Sequence, residues 1–449
     1  LDREFLDTAG TQKSMHATAK SESYAEIQAV TPLTTEQFKK ELADLNVASQ
    51  KGLIENFDSH VGRTTVLMPL GGKHLKTPAL ASVNTIPVLN KSTDTVAIST
   101  WGFSTDLANK NPFLMGAYAV VESLAKLVAS GGNHKDARLS FQEYFERLGA
   151  EAEKWGKPLQ ALLGALEAQL EFETAAIGGK DSMSGTFENI HVPPTLISFA
   201  CAVGELKNII SPEFKSAGNY IYLAEHTPAA NDVPNYDQLN AMYADIHQHI
   251  VKGNIVSAQT IKEGGLAAAV FKMAVGNGIG ANINFGKDCF KPQIGSLIIE
   301  SKTKFAEAKG FTLLGKTEGE NLNINTERFD LAELTAAWEG TLEPIFPSKT
   351  SETDTISPRL QPWTEESNDA FVHGDTNNDK PRVFIPIFPG TNCEYETEHV
   401  FVDAGAEVHT ALFRNYNETA VSESIASFVK ELNAAQILMI PGGFSAGDE

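Results

Sequence analysis

One stretch constrains this chain more than any other: Ile177-Gly178-Gly179-Lys180-Asp181-Ser182-Met183-Ser184-Gly185. An amphipathic helical pattern leads into it, and a β-like run, Thr195-Leu196-Ile197-Ser198-Phe199-Ala200, leads out. The fold must therefore pass from helix to strand through a backbone of small residues. Glycine lets a backbone turn sharply and approach a ligand closely. Turned N–H groups form a concavity suited to anions. Lys180 adds a point charge that suits phosphate, and Asp181 can hold a hydrated Mg²⁺. The same composition also makes an ordinary surface turn, because glycine and serine are common turn residues.

A chain of 449 residues is too long for one ordinary core, so about two or three domains are expected. A formal net charge of -21 argues against general nucleic-acid binding, which needs a basic surface. Only Cys201, Cys289 and Cys393 are present, widely spaced, so neither a disulfide framework nor a CxxC zinc pattern is expected. A reducing compartment such as the cytoplasm is the default for such usage. No apolar run is expected to approach the length of a membrane span. The start, Leu1-Asp2-Arg3-Glu4-Phe5, is neither a methionine start nor a signal peptide, and the end stops in a loop after an apolar strand pattern. The chain is therefore expected to be a piece of a longer one.

Residues 1–51 read as a polar connector with one helix, where Phe38, Leu42 and Leu45 recur at helical spacing. From 52 to 204, strands and helices alternate: Val66–Met68 and Thr95–Ser99 as strands, then a helix from Gly116 to Ala129. Ser130-Gly131-Gly132-Asn133 stops that helix as a glycine cap would. Glu122 and Lys126 stand at i and i+4 on it and can pair. A strand-like exit, Ala137–Gln142, precedes a second helix, Pro158–Phe172, with Leu159, Leu162, Leu163, Leu166 and Leu170 expected on its buried side. Residues 205–347 read as a second α/β unit, with strands at Tyr220–Leu223, Gly295–Ile299 and Phe311–Leu314. Its helices run over Tyr236–Lys252, Leu266–Val275 and Leu331–Glu339. Residues 348–380 are a polar linker. At 381–449 a βαβαβ order implies a doubly wound sheet, with Pro389-Gly390-Thr391-Asn392 and Pro441-Gly442-Gly443-Phe444 at strand C-termini, where such folds bind ligands.

Taken together, four motifs carry a family likeness. They are Gly178–Ser184 continued by Val192-Pro193-Pro194-Thr195-Leu196; Ala119-Val120-Val121-Glu122-Ser123; Leu342–Pro347; and the pair Phe388–Cys393 with Pro441–Asp448. The chain resembles phosphoribosylformylglycinamidine synthase in its large single-chain form. The likeness implies an α/β, aminoimidazole ribonucleotide synthetase-like repeat of two subdomains (52–204 and 205–347), then the start of a class I glutamine amidotransferase domain. It implies an ATP- and Mg²⁺-dependent synthesis of formylglycinamidine ribonucleotide from formylglycinamide ribonucleotide and glutamine, in purine biosynthesis. The first repeat, with the synthase histidine, and the glutaminase nucleophile are expected outside this chain, so no catalytic residue is assigned within it. The first repeat would then be a partner, with no role for nucleic acid or membrane. Two readings compete: a non-catalytic scaffold half that docks the first repeat and is inactive alone, and another kinase or synthetase of the same fold, against which the 381–449 segment speaks.

Carried over position by position, the resemblance implies nucleotide contacts from Gly178, Gly179, Lys180, Asp181, Ser182 and Ser184, with Gly179 against ATP phosphate. Lys180 stands where smaller family forms place a metal-binding asparagine. An ammonium cannot ligate Mg²⁺, so Lys180 is expected to touch phosphate directly. Ser140 and Gln142 align to another nucleotide-contacting loop. An auxiliary nucleotide site in large members holds metal by a helix Glu, an Asn four residues on, and an Asp before a Gly-Gly turn. Here these are Glu122, Lys126 and about Thr260. Glu122 is the one candidate metal residue; Lys126 is expected to neutralise it or to replace the cation. Cys393, in the loop after the first strand of its domain, is not assigned as the nucleophile.

Overall fold

The computed structural model describes residues 14–20, 30–57, 62–88, 91–305, 310–349 and 379–443. The chain divides into two bodies, 1–351 and 352–449. Most of the expected linker, residues 350–378, lies outside the described residues.

In the first body, helix α1 (Thr35–Leu42) starts on the Thr34 side chain, which accepts the Gln37 N–H. Strands β1 (Ser82–Thr85) and β2 (Thr95–Gly102), helix α2 (Pro112–Ala129), β3 (Arg138–Tyr144), helix α3 (Ala152–Phe172), β4 (Ala176–Ser182) and β5 (Thr195–Glu205) follow. They build a five-stranded sheet in the order β1-β2-β5-β3-β4. All of its pairs are antiparallel except β3–β4. The expected strand at Val66–Met68 is irregular backbone, although the Val66 N–H still donates to Val83 O at 2.8 Å.

Helix α2 starts one turn earlier than its sequence pattern indicated. Asn111 caps it by accepting the Leu114 N–H at 3.1 Å, and Pro112 takes the first helical position, where no N–H is needed. Gly131, at φ +101°, ends it, and Gly132 N–H returns to Leu127 O. By length and composition α2 is apolar enough to cross a membrane, which corrects the reading that no apolar run reaches that length. Yet 94% of it is buried inside this fold, as a core helix.

Helix α3 overturns a second expectation. Leu159, Leu162, Leu163, Leu166 and Leu170 are 44–68% exposed. The buried stripe is Gly156, Ala161, Gly164, Ala165, Ala168 and Phe172; the helix packs on α2, and Gly156 lies against the Thr18 backbone. The reason is close approach. A Cβ on Gly164 would lie 1.9 Å from Phe113 O, and one on Gly116 would lie 2.1 Å from Ala161 O. The two backbones touch only because small residues face each other, and leucines on that side would hold the helices apart.

Strands β6 (Tyr220–Ala224), β7 (Ile255–Thr260), β8 (Ala281–Ile283), β9 (Leu297–Ser301), β10 (Phe311–Thr317), β11 (Asn321–Ile324) and β12 (Glu327–Asp330) form a seven-stranded sheet, in the order β7-β9-β6-β10-β8-β11-β12. It is antiparallel apart from β8–β11. Helices α4 (Tyr236–Val251), α5 (Gly265–Val275) and α6 (Leu331–Gly340) accompany it. Phe38 of α1 is fully buried in the core beneath this sheet, edge-on to Phe271, Phe290 and Phe329.

The second body has β13 (Arg382–Ile387), α7 (Glu394–Asp403), β14 (Glu407–Leu412), α8 (Glu418–Ala434) and β15 (Ile437–Leu438). Its sheet order is β14-β13-β15, all parallel, as the βαβαβ pattern requires. Central β13 is buried over Val383–Pro386.

Candidate functional site

The glycine stretch is not a free loop. Most of it is β4, the edge strand paired in parallel with β3. Gly178, at φ +153°, lies where the register shifts between Leu139 and Phe141, in backbone space that glycine fills at least cost. A Cβ on Gly179 would lie 2.2 Å from Phe141 O, so glycine is what lets the two strands close up.

Strand alternation then sorts the nominated residues. On β3, Leu139, Phe141 and Glu143 are buried, while Ser140, Gln142 and Tyr144 are half-buried on the other face. Register pairs Gln142 with Lys180 and Tyr144 with Ser182. Ser140, Gln142, Lys180 and Ser182 are thus brought to one face. Lys180 Nζ lies 5.3 Å from the centre of the Tyr144 ring, and the Tyr144 hydroxyl donates to Gln142 Oε1 at 2.9 Å. Ser184 joins through a 3.1 Å hydroxyl contact with Ser182. Asp181 does not join them: it pairs in register with Glu143, on the opposite face. Tyr144 and Glu143 were missed by sequence reasoning, though extending the β3 alternation by two residues would have placed both.

Glu143 is 6% exposed, and its Oε1 has no hydrogen-bond partner among the described residues. Burial pushes its carboxyl up to about 7, and the charge of Asp181 pushes the same way. Lys180 has no carboxylate partner among the described residues, and its exposed position leaves the ammonium free for an anion.

The second nominated position is closed. Lys126 and Lys262 both meet Glu122 in the interior, with the Trp101 ring beside Lys126. Burial raises the Glu122 carboxyl, but the two ammonium groups outweigh it and hold the group below its ordinary value. Burial lowers Lys126, whereas Glu122 and Glu263 together keep Lys262 raised against the same burial. Lys262 and Trp101 were invisible to i, i+4 reasoning because they come from other elements. A cavity of about 190 Å³ adjoins the cluster, lined in part by Lys126, Lys262, Lys272, Gln259 and Thr260.

In the second body the two predicted loops meet at the C-terminal ends of neighbouring strands β13 and β15. Asn392 N–H donates to Gly442 O at 2.7 Å, and Thr391 bridges to Gly443. Phe444–Asp448 lies outside the described residues. Cys393 is exposed, at φ +63° at the start of α7. Among the described residues, no group of three or more His, Cys, Asp and Glu side chains is arranged to hold a metal.

Comparison with known proteins agrees with this architecture. Residues 380–449 match the CobB/CobQ-like glutamine amidotransferase domain family. Over 346 residues the chain is 22% identical to phosphoribosylformylglycinamidine synthase subunit PurL of Lactobacillus delbrueckii subsp. bulgaricus, covering 70% of this chain and 44% of that protein. The chain thus spans less than half the length of that curated relative. Phosphoribosylformylglycinamidine synthase II of Thermotoga maritima shares the fold with a TM-score of 0.51 at 10% identity, over 69% of this chain and 53% of its own. T. maritima PurL complexed with FGAR aligns at 0.50 and 11%, over 68% and 54% respectively; the same protein complexed with AMPPCP aligns at 0.50 and 11%, over 68% and 51%. By fold, the chain is an aminoimidazole ribonucleotide synthetase-like α/β protein followed by a glutamine amidotransferase segment. In sequence it is similar, in particular, to PurL.

Proposed function

We propose that this chain is part of an ATP-dependent amidotransferase that converts formylglycinamide ribonucleotide, glutamine and ATP to formylglycinamidine ribonucleotide in purine biosynthesis, in the cytoplasm. In this reading the 381–449 domain belongs to the glutaminase. The synthetase-like repeat, 52–204 and 205–347, serves the step in which ATP activates the amide oxygen and ammonia displaces phosphate. The observation that carries the reading is Lys180. It stands on an exposed edge strand, without a carboxylate partner among the described residues, on the face it shares with Ser140, Gln142 and Ser182. Gly178 and Gly179 give a phosphate room to approach the backbone, Lys180 supplies a mobile positive charge, and the Ser182 and Ser184 hydroxyls supply donors. Mg²⁺, when bound with the nucleotide, neutralises phosphate charge. Of these residues only Asp181 carries an anionic oxygen suited to it, and Asp181 stands on the Glu143 face.

The test is Lys180→Ala in the whole protein. The ATP-dependent rate should fall by about a hundredfold, the scale for losing one aligned donor to a reacting group, while glutamine hydrolysis stays intact. Unchanged ATP kinetics would defeat the assignment.

A second reading is a scaffold half that docks a first synthetase-like repeat and is silent alone. The uncovered apolar face of the five-stranded sheet favours it: Trp101, Phe199 and Val203 are 48%, 40% and 62% exposed. The two readings agree that this chain by itself makes no product from ammonia, ATP and the ribonucleotide. Turnover by the isolated chain would remove the scaffold reading.

A further inference from the structure

Glu122 is 1% exposed, and a lone carboxylate so deeply buried would be strongly disfavoured. It is not alone. Lys126 Nζ lies 2.7 Å and Lys262 Nζ 2.9 Å from its Oε1. Both ammonium groups pair with that one oxygen, and charge attraction and hydrogen bonding from the two lysines both favour the ionised carboxylate. The other carboxylate oxygen accepts the Phe103 N–H at 3.0 Å. Lys126 also donates to Trp101 O at 2.9 Å, and its Nζ stands 3.7 Å from the centre of the Trp101 ring. Lys262 donates to Phe103 O at 3.1 Å and lies 3.6 Å from Glu263 Oε2. An ammonium has three hydrogens and no lone pair. The surroundings therefore use both groups fully.

A carboxylate flanked by two backbone carbonyls is an oxygen set of the kind a hard divalent cation takes. Here the place beside those oxygens is filled by two nitrogen cations, and neither lysine can act as a ligand. Thr260, at the other position where the resemblance expects a metal ligand, brings no charge. The residues present do not fit a magnesium ion.

We infer that Lys126 and Lys262 together supply, as fixed side chains, the two positive charges that a divalent cation would bring to Glu122, so that this site holds its carboxylate without metal. The charges tie α2, the end of β2 and the turn between β7 and α5 to one another. Because they are covalently attached, no chelator can remove them. The inference stands apart from the nucleotide reading of β4 and would survive its failure.

The whole protein can be titrated with Mn²⁺, a paramagnetic quencher, while Trp101 fluorescence is isolated by difference from Trp101→Phe. In the wild type, Trp101 should not be quenched, and the unfolding temperature should be the same in EDTA and in Mg²⁺. Lys126→Asn removes one built-in charge and offers an amide oxygen. It should gain both Mn²⁺ quenching of Trp101 and an unfolding temperature that rises with Mg²⁺. Wild-type quenching of Trp101 that disappears in Glu122→Gln would overturn the inference. So would a folded Lys126→Asn with no metal response. If Lys126→Asn does not fold, the wild-type titration alone decides.

Discussion

Around Glu122 the charges are buried and matched; along β4 they are exposed and uncommitted. One cluster is gathered from helix α2, the end of β2 and the turn before α5, the other lies on the edge strand of the five-stranded sheet, and both resemble nucleotide or metal positions in sequence. Lys126 spends its donors on a carbonyl, a ring and a carboxylate. Among the described residues, Lys180 keeps only the distant Tyr144 ring. Matching a lysine indoors turns it into structure, while an unmatched lysine on an exposed edge is free to meet a ligand. The β4 lysine has a second effect, since a charged residue on an edge strand discourages pairing with another chain.

The contrast can be broken most directly at Lys126. Lys126→Ala leaves Glu122 buried with half its compensation, so stability should drop by about 3–5 kcal/mol in urea unfolding. A loss under about 1 kcal/mol, as at exposed pairs, would show that the cluster is solvated after all. Lys180→Ala should leave the same measurement within about 0.5 kcal/mol of wild type, because nothing buried depends on it.

Glu143 sharpens the comparison, since it is buried like Glu122 but has no cation beside it among the described residues. Its folded-state value of about 7 lies above the ordinary 4.5. The folded protein therefore binds this proton more tightly than the unfolded chain. The resulting stability is complete below about pH 4.5 and is lost as pH rises through about 7. Glu143→Gln should remove that loss. It should be more stable than wild type above about pH 7, by at most about 3 kcal/mol, and equal to it near pH 4. A flat difference across pH would mean that Glu143 is ionised and compensated.

Helix α3 gives the smallest effects. Gly164→Ala should cost about 1–3 kcal/mol, because a methyl group there collides with backbone. Leu163→Ser, on the exposed stripe, should stay within about 0.5 kcal/mol. Thermal unfolding of the two variants compares them, and a larger loss from Leu163→Ser would put the leucine face indoors.

Much of the architecture was legible. The βαβαβ order of the second body, the place of its two loops at strand ends, the glycine cap that ends α2 and the strands around Tyr220 and Thr195 all follow from local periodicity and turn chemistry. α3 was not, because it carries two apolar stripes and periodicity cannot choose between them. Close packing chose the glycine and alanine stripe. The glycine stretch was legible as a turn-rich run of small residues but not as a strand, since parallel pairing with β3 is a long-range event.

The sequence by itself determined which residue types sit together locally: Glu122 with Lys126 at helical spacing, and Lys180 among glycines and serines. Tertiary structure decided what each group meets. It brought Lys262 and Trp101 to Glu122, and it turned Asp181 away from Lys180 through strand alternation. Local spacing is set by covalent geometry, whereas the partners of a charge depend on which distant elements bury it.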